Sequence, residues 1–260
     1  MWHDYSFLAD ELGSKDKPVV GISACLIGEK VRYDGNDKHQ PTLLAAINAT
    51  VQLLPLCPEV AIGLGVPRPP IQLVKESNTI RAVPVDENAV GDYTAALQDY
   101  AQQVMASREE PINRKLCGYI FKSRSPSCGL GSTPLFNEGN QIGFGSGIYA
   151  HTLVSNLPWI PVAEEEDFTS QITFDYFLFR VSLNHDFNLC LTQDDGLAAF
   201  TKHHARLIEI APRHARARLL AEVERLTIGD TSQGINFLTL LGESLGELGP
   251  AGLKSELANR

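Results

Sequence analysis

Three short apolar blocks stand out in the first half of the chain, at Pro18–Ser23, Gln52–Leu56 and Cys117–Phe121. Their length and apolar content predict buried β-strands. Apolar residues recur every three or four positions over 40–51 and 92–108, and this spacing predicts amphipathic helices. Because strands and helices alternate, the pattern predicts an α/β fold with a Rossmann-like parallel sheet.

Further elements follow the third apolar block. The glycine-rich segment 143–157 predicts a loop that opens a helix. The segment 159–163 (WIPVA) predicts an edge strand, and it leads into the acidic run Glu164–Asp167. These elements complete the α/β part of the chain.

The pattern changes near residue 168. Residues 168–195 are aromatic-rich without a clear period, whereas 196–226 is strongly helical, and Pro212 is placed to open a second helix. The glycine-rich segment after it shows no clear pattern. We therefore predict two domains, an α/β domain over 1–167 and a smaller, mainly helical domain over 168–260.

Composition narrows the classes of function. A formal net charge of −9 disfavours a nucleic-acid partner unless basic residues are locally clustered. Met1–Asp16 has no continuous apolar stretch, so we expect no signal peptide. No segment approaches the roughly 18 apolar residues of a membrane span. We therefore expect a soluble, cytoplasmic protein without a membrane partner.

The chain has five cysteines, an odd number that favours reduced thiols over disulfides in a cytosolic protein. Cys25, Cys57 and Cys128 each follow the C-terminal end of a predicted strand. In a parallel sheet these strand ends meet at one edge, where ligands bind. We expect the three cysteines to converge there, and we interpret Cys117 and Cys190 as structural.

Converging thiols allow three kinds of chemistry. Thiolates hold iron-sulfur clusters, and a cube with only three protein thiolates leaves one iron open as a Lewis acid, which favours catalysis over electron transfer. Zinc is an alternative, with water or His39 as a fourth ligand, although no C-x2-C pair is present. A third alternative is a nucleophilic Cys128 beside Lys122 or Arg124, which leaves the other two cysteines unexplained.

Each of the three cysteines lies in or beside a distinctive local string. The strings are Ser23–Gly28 (SACLIG), Val31–Gly35 (VRYDG), Cys57–Glu59 (CPE), Gly63–Arg68 (GLGVPR) and Lys122–Gly129 (KSRSPSCG). In this order, over roughly residues 18–163, they resemble the thiouracil desulfidase family.

The resemblance implies a cofactor and two catalytic residues. It implies a 4Fe-4S cluster held by Cys25, Cys57 and Cys128, with the open iron binding the sulfur of the substrate. It also implies that Glu59 and Ser125 are catalytic. These roles are chemically coherent, because a carboxylate can activate water and a hydroxyl can relay a proton. Taken alone, the carboxylate could equally cap a helix and the serine could be a turn residue.

Three further residues are candidates for binding the substrate. Arg32 and Tyr33 follow the first cysteine by seven and eight positions, a reach suited to stacking on a pyrimidine or to hydrogen bonding with it. A surface turn explains these two residues equally well. Ser127, beside Cys128, is the third candidate.

The second region contains a basic stretch. Over 200–226 basic residues outnumber acidic ones, and we predict that they contact RNA phosphates: Lys202, Arg206, Arg213, Arg216 and Arg218. A charged helix face is also often simply solvated. The stretch resembles the start of the helical companion domain of enzymes that act on 4-thiouridine in tRNA, in a shortened form, and this resemblance implies tRNA as a partner.

The sequence thus predicts a non-redox desulfidase that converts a thiolated uracil, 4-thiouridine in tRNA, to uridine and hydrogen sulfide. Free 2- or 4-thiouracil is the alternative substrate. A non-catalytic, metal-containing RNA-binding module is the alternative from another class of protein.

Overall fold

The computed structural model describes residues 16–86, 88–106, 116–191, 196–225 and 231–258. Within these ranges the chain forms eight strands: β1 (Val19–Ser23), β2 (Gln52–Leu56), β3 (Ile71–Glu76), β4 (Thr79–Pro84), β5 (Gly118–Phe121), β6 (Thr133–Asn137), β7 (Asn140–Gly145) and β8 (Val162–Glu164).

The described ranges also contain nine α-helices: α1 (Pro41–Ile47), α2 (Pro58–Ala61), α3 (Thr94–Ala106), α4 (Ile148–Asn156), α5 (Gln171–Cys190), α6 (Gly196–His203), α7 (Ala205–Ile210), α8 (Arg213–Arg225) and α9 (Thr231–Ala258). Short 3-10 turns cover Ala24–Ile27 and Glu165–Asp167. Within the described ranges, no helix combines the length and the apolar character that a bilayer crossing requires.

The chain divides into two compact units. The α/β unit comprises Val19–Leu157 and Val162–Asp167. Among the described residues, the helical unit comprises 16–18, Pro158–Pro161 and those from Phe168 to Ala258. The division into domains 1–167 and 168–260 stays a prediction.

The α/β unit is built on a sheet of order β2-β1-β5-β8 in which all neighbours are parallel. The predicted α/β fold class with a parallel sheet, followed by helices, is therefore confirmed. Strand β1 is central and completely buried. Gly21 lies against the ring of Tyr119, where an added Cβ would come within 2.3 Å of a ring carbon. A larger residue at position 21 would therefore push β1 and β5 apart.

A second sheet, of order β4-β3-β6-β7, was not predicted from the sequence. Its two antiparallel hairpins are joined by a parallel pairing between β3 and β6. Strand β7 corrects the prediction of a loop at residue 143, because backbone pairing with β6 continues to Gly145. The predicted edge strand is also shifted, from 159–163 to Val162–Glu164.

The helical unit has a separate apolar core. Phe187, Phe200 and Phe237 pack edge to face, with ring centroids 5.4 and 6.2 Å apart in successive pairs. Helix α5 fills a segment for which the sequence predicted no element, and Ser170 and Thr173 form a capping box at its start. The predicted helical stretch 196–226 is divided into α6, α7 and α8, and its last residue lies outside the described ranges.

Candidate functional site

Cys25, Cys57 and Cys128 line one cavity of about 470 Å³ in the α/β unit. The first lies in the 3-10 turn after β1, the second directly after β2, and the third in the loop that follows β5. Parallel strands place their carboxyl ends at the same edge of the sheet, which explains why three loops distant in sequence meet. Cys117 and Cys190 are buried and are not among the lining residues.

The three thiols lie in a poorly solvated environment. Burial, reinforced by the nearby Cys57, raises the pKa of Cys25 to about 11. Burial likewise raises the pKa of Cys57 and holds that of Cys128 well above its usual value. Burial therefore favours the neutral thiol at all three positions, and binding of a metal would release these protons.

A single metal ion suits the cavity less well than a larger group. In the part of the chain that the structure describes, no three His, Cys, Asp or Glu residues are grouped closely enough to hold one ion. Zinc requires thiolates within about 2.3 Å of the metal, and hence close to one another. His39, the suggested fourth zinc ligand, is not among the lining residues. A four-iron cube is wider and accepts thiolates that are farther apart.

The loop that carries Cys128 is held by the start of helix α4. The backbone N–H of Ile148 donates to the carbonyl of Pro126 at 3.0 Å, and that of Ala150 donates to the carbonyl of Ser127 at 3.1 Å. Gly147 permits this approach, since an added Cβ would lie 2.4 Å from the carbonyl carbon of Ser127. The first N–H groups of the helix are thus used to fix the cysteine loop.

Glu165 fixes the beginning of the same loop. Its carboxylate accepts hydrogen bonds from the backbone N–H and the hydroxyl of Ser123, at 2.8 and 2.9 Å. It also pairs with the ammonium of Lys122, and both charged side chains are largely buried. Ser123 and Lys122 line the cavity. The sequence predicted the acidic run only as the segment that follows an edge strand, so this role was missed.

Glu164 and Glu166 contact the loop farther along. Glu164 accepts hydrogen bonds from the backbone N–H of Leu130 and from the hydroxyl of Ser132. Glu166 forms an exposed ion pair with Arg124. We call Glu164, Glu165 and Glu166 together the acidic clasp.

Glu59 lies at the cavity in a fixed orientation. One carboxylate oxygen, Oε2, accepts a hydrogen bond from Nε of Arg68 at 2.8 Å and forms an ion pair with Nη2 of the same residue at 2.7 Å. The other, Oε1, accepts a hydrogen bond from the hydroxyl of Ser127 at 2.8 Å. Arg68 was not among the predicted site residues. The signal available in the sequence was its place in the GLGVPR string.

Ser125 lines the cavity and also shapes the loop. Its Oγ accepts hydrogen bonds from the backbone N–H groups of Ser127 and Cys128, at 3.3 and 3.1 Å. A hydroxyl oxygen has two acceptor positions and one donor hydrogen. Both acceptor positions are therefore used within the loop, which leaves the hydrogen available to a ligand.

The predicted substrate-binding residues are placed differently from one another. Arg32 and Tyr33 line the cavity, and the guanidinium carbon of Arg32 lies 5.3 Å from the centroid of the Tyr33 ring. Ser127 is fully buried and is not among the lining residues. Its hydroxyl contacts Glu59 instead.

The predicted RNA-binding residues all lie in the helical unit. The side chains of Lys202, Arg206, Arg213 and Arg218 are exposed. Arg216 is only half-exposed and donates a hydrogen bond to the carbonyl of Ala211 at 3.1 Å.

The fold and the site define an α/β protein with three strand-end cysteines and a buried carboxylate–arginine pair at one cavity. A family model described as 2-thiouracil desulfurase matches residues 20–165, more than half of the chain, and the chain belongs to this family. The family predicted from the motifs is thus confirmed. The match does not reach residues 168–260, so the resemblance of that region to a tRNA-desulfidase companion domain stays a prediction.

Among solved structures, the chain is similar to the 4Fe-4S-dependent thiouracil desulfidase TudS, with 32% sequence identity. The similarity covers 59% of this chain and 93% of that one, with a TM-score of 0.45. No curated protein matches the chain.

Proposed function

We propose that this protein is a 4Fe-4S-dependent desulfidase that removes sulfur from thiolated uracil. The observation that carries the proposal is the convergence of Cys25, Cys57 and Cys128 with Glu59 at one cavity, in a chain of the 2-thiouracil desulfurase family.

The residues of the cavity fit such a cluster. Three cysteines supply thiolates, the usual ligands of a four-iron cube, and leave one iron without a protein ligand. Two cationic side chains that line the cavity, Arg32 and Lys122, favour the thiolate form of Cys25. When bound, the cluster supplies an open Lewis-acid position for the sulfur of the substrate.

Glu59 acts as the general base and Ser125 as the proton donor. The carboxylate takes a proton from a water molecule, whose oxygen bonds to the ring carbon of the thiocarbonyl. The carbon–sulfur bond breaks, and the Ser125 hydroxyl delivers a proton towards the departing sulfur. Water and thiouracil give uracil and hydrogen sulfide without any net transfer of electrons, so the reaction is a non-redox hydrolysis.

Arg32 and Tyr33 bind the pyrimidine ring. Both line the cavity, and the Tyr33 side chain is 42% exposed, which leaves one surface of the residue open to a ligand. A flat aromatic ring and a guanidinium group suit stacking and hydrogen bonding to a planar base. Ser127 is buried behind the cavity, and its hydroxyl orients Glu59 instead of contacting the substrate.

The preferred substrate is 4-thiouridine in tRNA, with free 2- or 4-thiouracil as the alternative. Exposed basic side chains on helices α6 to α8 support the tRNA assignment, because they can contact phosphates. The family match favours free thiouracil equally well, since it covers only the α/β unit. For either substrate the proposed location is the cytoplasm, where the reducing conditions keep thiols and the cluster reduced.

Purification without oxygen, followed by analysis of iron, acid-labile sulfide and zinc, tests the proposal. We expect about four irons per chain and release of sulfide from a 4-thiouracil compound. Comparison of 4-thiouridine-containing tRNA with free 4-thiouracil decides between the substrates. Stoichiometric zinc without iron would overturn the cluster. Bound iron without sulfide release from any thiolated uracil would favour the non-catalytic RNA-binding module.

A further inference from the structure

Arg68 joins three segments around the cavity through one buried side chain, which is only 4% exposed. Nε donates a hydrogen bond to Glu59 and Nη2 forms an ion pair with the same carboxylate. The third nitrogen, Nη1, donates to the carbonyls of Val31 and Gly65 at 2.9 and 2.8 Å. Three of the five N–H donors are thus used in hydrogen bonds. Its backbone N–H also donates to the carbonyl of Tyr33 at 2.9 Å.

These contacts make the two oxygens of Glu59 unequal. Nε and Nη2 of Arg68 both lie against Oε2, at 2.8 and 2.7 Å. Oε1 accepts a hydrogen bond from the neutral hydroxyl of Ser127 at 2.8 Å. Oε1 therefore binds a proton more readily than Oε2, which lies against the positive guanidinium.

We propose that Arg68 is a positioning residue for the desulfidase reaction, and that it leaves Oε1 of Glu59 as the one oxygen that receives the proton of the attacking water. The inference rests on the proposed function, because it assigns a partner to the general base named there. A rigid planar fork is needed for this task, since Nε and Nη2 must reach the same oxygen while Nη1 holds two carbonyls. Lysine keeps the charge but does not reproduce this geometry.

The variant Arg68→Lys tests the proposal, measured in cluster-loaded protein without oxygen. A misplaced base slows the chemical step, whereas ring binding by Arg32 and Tyr33 is retained, because the backbone N–H of residue 68 still holds Tyr33. We expect kcat to fall by about ten- to a hundredfold. We expect KM, iron content and the visible absorption spectrum to stay at the wild-type values.

Arg81→Lys is the matched control. Arg81 also bridges two carboxylates, donating to Asp92 at 3.0 Å and to Glu76 at 2.9 Å. It belongs to strand β4 of the second sheet and is not among the lining residues of the cavity. We expect its kcat and KM to equal those of the wild type.

A second variant, Arg68→Ala, uses chemical rescue. Guanidinium at concentrations well below those that unfold proteins should restore kcat, because it has the same planar set of donors, whereas ammonium should not. The inference is overturned if Arg68→Lys keeps the wild-type kcat, or if kcat falls only in step with iron content and guanidinium restores nothing. Failure of the proposed function is distinguishable, since the iron-loaded wild type would then release no sulfide.

Discussion

The two carboxylate oxygens of Glu165 hold Ser123 at both its backbone N–H and its hydroxyl, at 2.8 and 2.9 Å. Ser123 begins the loop that carries Cys128, and Glu165 lies 42 residues farther along the chain. The buried pairing of Glu165 with Lys122 strengthens the attachment. The C-terminal edge of the sheet thus fixes the position of a predicted cluster ligand.

We expect Glu165→Gln to weaken the hold on this loop. Loss of the charge leaves the ammonium of Lys122 buried without a counterion, which destabilises a fold by about 3–5 kcal/mol. The free energy of unfolding should fall by this amount, and the protein should lose iron to a chelator faster than the wild type. Chemical denaturation and iron analysis measure the two effects.

Glu166→Gln is the control for that variant. Its ion pair with Arg124 is exposed, with side-chain exposures of 53% and 62%, and such pairs contribute at most about 1 kcal/mol. Iron retention in this variant should match the wild type. Equal loss of iron in both variants would show that iron retention does not depend on the specific contacts of Glu165.

The five cysteines are predicted to form two groups that differ in whether their substitution removes bound iron. Substitution of Cys25, Cys57 or Cys128 by Ser should reduce bound iron to a small fraction of the wild-type amount, because each removes one of three thiolate ligands. Cys117→Ala and Cys190→Ala should retain the iron, since both residues are outside the cavity lining. Iron content and visible absorption of protein prepared without oxygen distinguish the groups. Retention of iron by a cavity variant would exclude that cysteine as a ligand.

Glu59→Gln separates catalysis from cofactor binding. The amide keeps the shape of the side chain, and with its oxygen facing Arg68 its NH2 group can donate to the Ser127 hydroxyl, but it does not take a proton from water. We expect kcat/KM for sulfide release to fall by about 100- to 10,000-fold with iron content unchanged. Glu76→Gln, an exposed carboxylate change on strand β3, is the control. Wild-type turnover in Glu59→Gln would refute the assignment of the general base.

Exposed arginines of helix α8 test the RNA hypothesis. The double variant Arg213→Ala and Arg218→Ala removes two exposed charges, whereas Arg216 is better left intact because it holds the carbonyl of Ala211. Turnover of thiolated tRNA should fall, and the dependence of binding on log salt concentration should become shallower by about two. Turnover of free 4-thiouracil should be unchanged. Equal loss on both substrates would contradict a role in RNA binding.

Local patterns predicted the parallel sheet well. Strand β2 has the bounds expected from its sequence, and β1 and β5 each begin one residue later than expected. Helix α3 lies within the predicted range 92–108. These elements are buried or clearly amphipathic, so their hydrophobic period is a property of the neighbouring residues alone.

The second sheet and helix α5 were not predicted, because their residues show no clear local hydrophobic period. Strands β3 and β4 mix buried and half-exposed positions with charged residues, and β7 has no buried position at all. Their stability comes from pairing with strands distant in the chain, which a local window does not contain. Helix α5 buries aromatic residues on several sides, so it lacks a clear amphipathic period.

The sequence by itself determined the family, the parallel sheet and the three cysteines that follow its strands, because each rests on contiguous residues or on the common direction of parallel strands. Only the tertiary structure decided which side chains contact one another around these cysteines. The pairing of Glu59 with both Arg68 and Ser127, and the attachment of the Cys128 loop to the acidic clasp, join side chains up to 68 residues apart. Contacts of this kind depend on packed geometry, and no local period in the sequence encodes them.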